Sequence, residues 1–362
     1  MKISESVSNG HPDKIADIIS SDLLDYCLQQ DPDTRFAVEV QIKGNVVNLA
    51  GEVSTKAQFT YAIIQRLVKS TLECIGYDEK YCQRWKMPTL SKSVHVNSYI
   101  TVQSPEIAQG LAKGYGDQGI FFGQARKDYG YFSRDYWIAK GLCEDIYKLA
   151  KKDPELGLDI KTLAVCDDYD RLRKLVIAVP MLPGKESSAK SKLGALIARY
   201  SSIYQVEVIV NGTGDYHIHG PLVDCGMTGR KLAADFYGGS CKVGGGSPWT
   251  KDGTKADLSL NLLARFLAVK WMLRYHNISE VNVAIACAIG SPRLEICYRD
   301  GDGHILQELS LDVPPSSIIE GFSLNKPIYG DLCRKGLFTG VDHLAKIATI
   351  SLNIPRPEDV GL

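Results

Sequence analysis

The sequence carries no net charge: 42 lysines and arginines balance 42 aspartates and glutamates. That argues against the broad basic field of a nucleic-acid-binding protein, so any cationic site must be local. No apolar run approaches the roughly 18 residues of a membrane span, and Met1-Lys2-Ile3-Ser4 lacks the apolar core of a signal peptide. A soluble, cytoplasmic protein with no membrane or nucleic-acid partner is expected. The ten cysteines include no Cys-x-x-Cys pair, and several, such as Cys287 and Cys297, lie in apolar, strand-like stretches. Reduced buried thiols account for this better than disulfides or a zinc site. Of the seven histidines only His217 and His219 lie in one alternating stretch. The Walker A spacing and the protein-kinase signatures are missing as well, which leaves an ordinary nucleotide-dependent kinase without support. At 362 residues the chain has room for two or three domains.

What is present centres on Gly238 to Asp257. Three consecutive glycines, Gly244, Gly245 and Gly246, let the backbone approach an anion, and Lys251, Lys255 and Asp257 follow. Such a loop reads either as a flexible surface connection or as a phosphate cradle with a metal ligand beside it. Upstream, Asp224-Cys225-Gly226-Met227-Thr228-Gly229-Arg230-Lys231 sets two more cations in a glycine-flanked turn. One polyanion could draw all four cations together.

Along the chain, Pro12 suits the first turn of a helix whose apolar face runs Ile15, Ile18, Ile19, Leu23, Tyr26, Cys27. His11, Asp13 and Lys14 then cluster at its N-terminus. They read as an ordinary cap, or as a site where N–H groups face phosphate, Asp13 holds Mg²⁺ and His11 donates to an oxygen. Arg35 to Lys43 alternates, with Phe36, Val38, Val40 and Ile42 on one face, and a turn at Gly44-Asn45 leads to a strand through Val47, Leu49 and Val53. A two-residue loop pairs Lys43 with Val46, Glu39 with Ala50 and Glu52 with Ala37. Glu39 and Glu52 become diagonal neighbours roughly 7–8 Å apart, either solvated or holding a cation or an ammonium group.

A helix is expected over 55–75, with Phe59, Ile63, Leu67 and Leu72 inward, and another alternating strand over 93–102. The segment from Gln103 to Gly119 is either a mobile lid or a plain connector. The order helix, hairpin, helix then recurs, with first arms starting near 35, 161 and 280. The expected fold is α+β: three topologically similar domains, 1–105, 113–218 and 220–350, each a mixed or antiparallel sheet covered by helices.

Five motifs in order carry a resemblance: Ser4 to Lys14, Gly51-Glu52-Val53-Ser54-Thr55, Gly116-Asp117-Gln118-Gly119, Asp224 to Lys231, and Gly244 to Lys251. In this order they are similar to the S-adenosylmethionine synthetases, or methionine adenosyltransferases, and the resemblance runs from residue 4 to about 300. It implies transfer of the adenosyl group of ATP to L-methionine, release of tripolyphosphate and its cleavage to pyrophosphate and phosphate. It also implies Mg²⁺ and K⁺, and a homodimer or homotetramer with active sites between subunits. By resemblance His11 is the donor beside the ribose 5′ oxygen, Asp13 and Asp257 are Mg²⁺ ligands and Glu39 the K⁺ ligand. Glu52, Gln103, Asp224 and Lys255 contact methionine. Asp159, Lys161, Asp215, Tyr216 and Asp224 lie at the nucleotide, and Arg230, Lys231, Ser247 and Lys251 at the triphosphate.

The chain also departs from that family. Gly214-Asp215-Tyr216-His217-Ile218-His219-Gly220-Pro221 stands where members read Gly-Arg-Phe-Val-Ile-Gly-Gly-Pro. Leu258 stands in place of an arginine, the segment between Gln103 and Asp117 is several residues shorter, and the C-terminal motif is reduced to Tyr329-Gly330-Asp331-Leu332. A second reading, motivated by Asp215 and Leu258, is a catalytically weak homologue that acts as a regulatory or binding subunit.

Overall fold

The computed structural model describes residues 1–339 apart from 89, 104–113, 128, 202–204 and 276. Most of the expected lid segment therefore lies outside the described residues, as does the end of the third expected domain.

The three hairpins form where alternation places them: β2 (Arg35–Lys43) with β3 (Val46–Ser54), β6 (Lys161–Cys166) with β7 (Leu172–Ala178), and β10 (Glu280–Cys287) with β11 (Arg293–Asp300). In the first, the two-residue turn fixes the register, so that Lys43 faces Val46, Glu39 faces Ala50 and Ala37 faces Glu52. Phe36, Val38, Val40 and Ile42 are buried on the opposite face. The remaining strands are β1 (Lys2–Val7), β4 (His95–Thr101), β5 (Gly119–Arg126), β8 (Glu207–Val210), β9 (Gly226–Met227) and β12 (Ile305–Asp312).

Among the described residues these make three four-stranded sheets, ordered β4-β3-β2-β9, β1-β6-β7-β8 and β12-β11-β10-β5. The β3–β4 and β7–β8 pairs are parallel and the other pairings antiparallel. Each hairpin is thus completed by a strand from another third of the chain: β1 pairs with β6, β5 with β10, and β9 with β2. The exchange closes a ring, which is the pseudo-threefold relation behind the recurring element order.

Helices α1 (Pro12–Leu28), α2 (Tyr61–Ile75), α3 (Glu79–Arg84), α4 (Arg134–Lys152), α5 (Glu186–Ser201), α6 (Ala256–Arg274), α7 (Pro315–Phe322) and α8 (Tyr329–Lys335) cover the sheets. The long helices α1, α4 and α6 each carry an aspartate as second residue, Asp13, Asp135 and Asp257, where a carboxylate complements the helix dipole. Apolar side chains such as Ile15, Ile18, Ile19 and Leu23 of α1 are fully buried, each worth about 1.5–3 kcal/mol.

Helix α2 differs from its expected form. It starts at Tyr61, and Ile64, Val68, Thr71, Leu72 and Ile75 face inward, while Phe59 and Leu67 are only partly buried. The Asp31 carboxylate accepts the Lys56 N–H at 2.7 Å and the Thr55 hydroxyl at 3.3 Å. These bonds hold the preceding residues in a turn, and the later start goes with a buried stripe one position beyond Ile63 and Leu67.

Candidate active site

Helix α1 begins at Pro12, whose fixed φ suits the first helical position, and this makes His11 the N-cap. The His11 Nδ1 accepts the Asp13 N–H at 3.2 Å, so the ring proton of the neutral form sits on Nε2, which can donate. His11 is buried, and burial first, then the Lys231 charge, lowers its pKa to about 4 against the pull of Asp13.

Asp13 itself is wholly buried. Its Oδ1 accepts the Met227 N–H at 2.9 Å, and its Oδ2 accepts from Lys231 Nζ at 2.7 Å. Arg230 Nε stands 3.4 Å from Oδ1. Burial alone would raise this carboxyl; the Lys231 and Met227 hydrogen bonds outweigh it and hold the pKa below its ordinary value. The approach of Met227 to α1 requires Gly226, because a Cβ there would lie 2.1 Å from the Pro12 carbonyl oxygen.

One turn along α1, Asp17 Oδ1 accepts the Gly229 N–H at 2.9 Å and so anchors the turn that carries Arg230 and Lys231. The reading of the sequence did not include Asp17 among the site residues. Its signal is the four-residue spacing from Asp13, which stacks the two carboxylates on one helix face.

Asp159 lies close by. It accepts the Gly220 N–H at 2.9 Å, and burial raises its pKa to about 6, with Asp224 and Asp13 adding to the rise and Lys161 opposing it. Lys161 is half-exposed, 3.8 Å from Glu5. The Tyr216 hydroxyl donates to the Asp159 carbonyl at 3.4 Å. The Asp224 charge acts on His11 and Asp159 alike, and its Oδ1 accepts the Cys225 N–H at 2.8 Å. Asp215 is tied to α5: it binds Lys190 Nζ at 2.7 Å and accepts from the Asn211 side chain at 3.2 Å, so its charge is matched locally.

The remaining residues form a second group. Asp257 Oδ1 accepts the Gly246 N–H at 2.6 Å, and its Oδ2 is paired with Lys251. The backbone of Lys251 bridges Ala37 at the open side of β2, and Ala37 in turn faces Glu52. Lys251 and Glu52 therefore share a sheet face, two strand spacings or about 10 Å apart. Thr101 faces Glu52 from β4, and the buried Gln103 follows two residues later.

Glu39 accepts hydrogen bonds from Thr228 and, at 3.2 Å, from Thr250, tying the Arg230 turn to the Lys251 loop. Ser247 accepts the Trp249 N–H at 3.3 Å and packs on Gly229, where a Cβ would stand 2.8 Å from its own. Lys255 caps α6 with its backbone. Leu258 is fully buried, so an apolar residue belongs there.

The glycine loop differs from a bare phosphate cradle. The Gly246 N–H is occupied by Asp257, and Gly244 passes so close to β5 that a Cβ would lie 2.2 Å from the Ile120 carbonyl oxygen. Close packing of the loop against β5 accounts for that glycine. Three of the four cations are also divided between two carboxylates: Arg230 and Lys231 lie on Asp13, while Lys251 lies on Asp257.

An α+β chain that sets lysines and an arginine on carboxylates at two helix N-termini, Asp13 buried and Asp257 partly exposed, beside a neutral histidine donor, has the parts of a group transferase acting on an anionic substrate. Residues 1–105 match the N-terminal domain of S-adenosylmethionine synthetase, and 218–345 its C-terminal domain. The S-adenosylmethionine synthase of Brachyspira hyodysenteriae is 32% identical, with 92% of each chain covered. That of Acholeplasma laidlawii is 30% identical, over 92% of this chain and 93% of the relative. An unusual S-adenosylmethionine synthetase from Campylobacter jejuni superposes with a TM-score of 0.84 at 29% identity, covering 96% of this chain and 99% of the other. The chain belongs to the S-adenosylmethionine synthetase family, the methionine adenosyltransferases.

Proposed function

We propose that the two groups of residues bind ATP and L-methionine and transfer the adenosyl group to the methionine sulfur. The sulfur lone pair attacks C5′, the C5′–O5′ bond breaks with its electron pair going to tripolyphosphate, and sulfur becomes a sulfonium. The tripolyphosphate is then cleaved to pyrophosphate and phosphate. A thioether needs no base, so the rate depends on alignment and on charge stabilisation at the leaving oxygen.

The observation that carries this reading is the neutral His11, whose Nδ1 accepts the Asp13 N–H and so leaves the proton on Nε2 as a donor for O5′ beside the Lys231–Asp13 pair. A fixed donor of this kind contributes about 10²–10³ in rate. Arg230, Lys231 and Lys251 meet the triphosphate, with Ser247 near it. Asp159, Lys161, Tyr216 and Asp224 hold the nucleoside end, with Asp215 at its margin through Lys190. Glu52, Gln103, Asp224 and Lys255 receive methionine.

The carboxylates of Asp13 and Asp257 are hard oxygen donors, each with lone pairs beyond the two bonds it now accepts, and they fit Mg²⁺. Mg²⁺ supplies neutralisation of phosphate charge when bound. Glu39, among the Thr228 and Thr250 hydroxyls, fits K⁺.

The complete site is assembled between two copies, in a homodimer or a pair of dimers, across the sheet face that carries Glu39, Glu52 and Lys251. In support, Tyr99 of the same sheet and Ile120 of the third sheet are exposed at 69% and 59%. The regulatory-subunit reading loses its two motives, since Leu258 is core and Asp215 is paired.

The test incubates purified protein with ATP, L-methionine, Mg²⁺ and K⁺, and quantifies S-adenosylmethionine, pyrophosphate and phosphate with each component omitted in turn. Equal amounts of the three products, dependent on methionine and Mg²⁺, are expected. A folded, ATP-binding protein that makes no S-adenosylmethionine would refute the reading.

A further inference from the structure

We infer that Tyr81 and His219 are a positioning pair that sets the Asp159 carboxylate and, together with Tyr77, the His11 loop for the ATP end of the site. The inference rests on the function proposed above and goes beyond it, to residues outside the substrate contacts.

The hydrogen bonds fix every polar atom of the pair. His219 is fully buried, and its Nδ1 lies 2.8 Å from the His217 carbonyl oxygen. A carbonyl only accepts, so Nδ1 carries the proton and Nε2 is a bare acceptor. The Tyr81 hydroxyl donates to that Nε2, while its oxygen accepts the Leu158 N–H at 3.0 Å. Trp85 closes the pocket, its ring edge-to-face with His219 at 4.7 Å.

The two segments that Tyr81 grips are the two that meet at Asp159. Leu158 directly precedes Asp159, and His219 directly precedes Gly220, whose N–H donates to Asp159 Oδ2 at 2.9 Å. A single phenol oxygen thus spans both sides of that hydrogen bond. The neighbouring Tyr77, edge-to-face with Tyr81 at 5.4 Å, donates to the Gly10 carbonyl at 2.7 Å, one residue before His11. Ser8 completes the lacing, donating to the Leu158 carbonyl at 2.6 Å and accepting the Ile160 N–H at 3.0 Å.

Phenylalanine and leucine would fill the same space. The hydroxyl and the imidazole, both buried and both satisfied, add direction rather than volume. His219 is also one of the points where the chain departs from the glycine that its resemblance leads one to expect.

The test measures ATP affinity by calorimetry and the two KM values in steady state, on the full chain and three variants. Tyr81→Phe and His219→Leu each leave a buried partner unsatisfied, so ATP binding should weaken about tenfold while the KM for methionine moves less than about twofold. His219→Gln keeps an acceptor near the place of Nε2, so its ATP affinity should stay within about threefold of wild type. ATP affinity unchanged in both Tyr81→Phe and His219→Leu overturns the inference, as does an equal rise in both KM values. A wild-type protein that binds ATP but makes no product refutes the proposed function alone, because calorimetry on the variants still decides the role of the pair.

Discussion

Replacing Lys231 by methionine keeps the length of the side chain and removes its charge. The Lys231 Nζ sits 2.7 Å from Asp13 Oδ2, and Asp13 is 0% exposed. Breaking a buried ion pair from one side costs about 3–5 kcal/mol. Arg230 Nε, 3.4 Å from the other oxygen, limits the loss, so about 3 kcal/mol and a fall in Tm of roughly 5–10 °C are expected. In the proposed role of Lys231 at the triphosphate, turnover should fall further, by about 10²–10³, because a fixed cation beside the departing phosphate chain would act on the transition state.

A pH series separates this from simple loss of packing. Burial and the Lys231 charge depress the His11 pKa from 6.5 to about 4, so the neutral ring favours the fold above pH 6.5 and that contribution fades as pH falls towards 4. Without Lys231 the His11 pKa rises towards its ordinary value, and the unpaired Asp13 takes up a proton more readily. Both effects shrink the difference in Tm between wild type and variant as pH falls from about 7 to about 4.5. Calorimetric scans across that range, with turnover measured at pH 7, check it. A Tm difference that does not change with pH, or turnover within about threefold of wild type, would refute the reasoning.

Other substitutions probe the remaining parts of the site. Asp13→Asn should abolish Mg²⁺-dependent formation of S-adenosylmethionine while circular dichroism stays that of the wild type; undiminished product would remove Asp13 from the metal. Glu39→Gln should lower the stimulation of turnover by added K⁺, read from a K⁺ titration, because the charge between Thr228 and Thr250 is gone. Asp17 is buried, and burial first raises its pKa to about 7, so its contribution is present below the ordinary pKa of 3.8 and is lost as pH rises through 7. Asp17→Asn keeps the acceptor for the Gly229 N–H, and Lys14, 3.4 Å from Asp17, keeps its closer partner Asp235 at 2.6 Å, so the variant's Tm at pH 8 should equal or exceed that of the wild type, while a clear drop would contradict the raised pKa.

Period-2 alternation and a two-residue turn were enough to place Glu39 opposite Ala50 and Glu52 opposite Ala37, because in a hairpin both the face and the register follow from local chemistry. The start of α2 was less legible. The Asp31 carboxylate that holds Thr55 and Lys56 comes from 24 and 25 residues away. Helix α1 shows the same limit: the sequence groups Lys14 with His11 and Asp13 at the helix N-terminus, yet Lys14 is buried against Asp235, 221 positions later. The partners of Asp13 lie 214 and 218 residues distant. Residue types at single motifs therefore pointed to the chemistry, while their pairing into two groups depended on long-range closure. The two-residue β9 is too short to leave any periodic signal.

The ring of exchanged strands also sets a timetable on synthesis. Strand β1 is made first but pairs with β6, so at the usual 5–20 residues per second it waits about 150 residues, on the order of ten seconds, for its partner. The first sheet likewise lacks its β9 neighbour until two thirds of the chain has been translated. No nascent third can finish its own sheet, and the growing polypeptide carries unpaired strand edges until its last third arrives. Ribosomal pausing or premature termination within that third should therefore yield aggregation-prone fragments rather than a folded N-terminal domain.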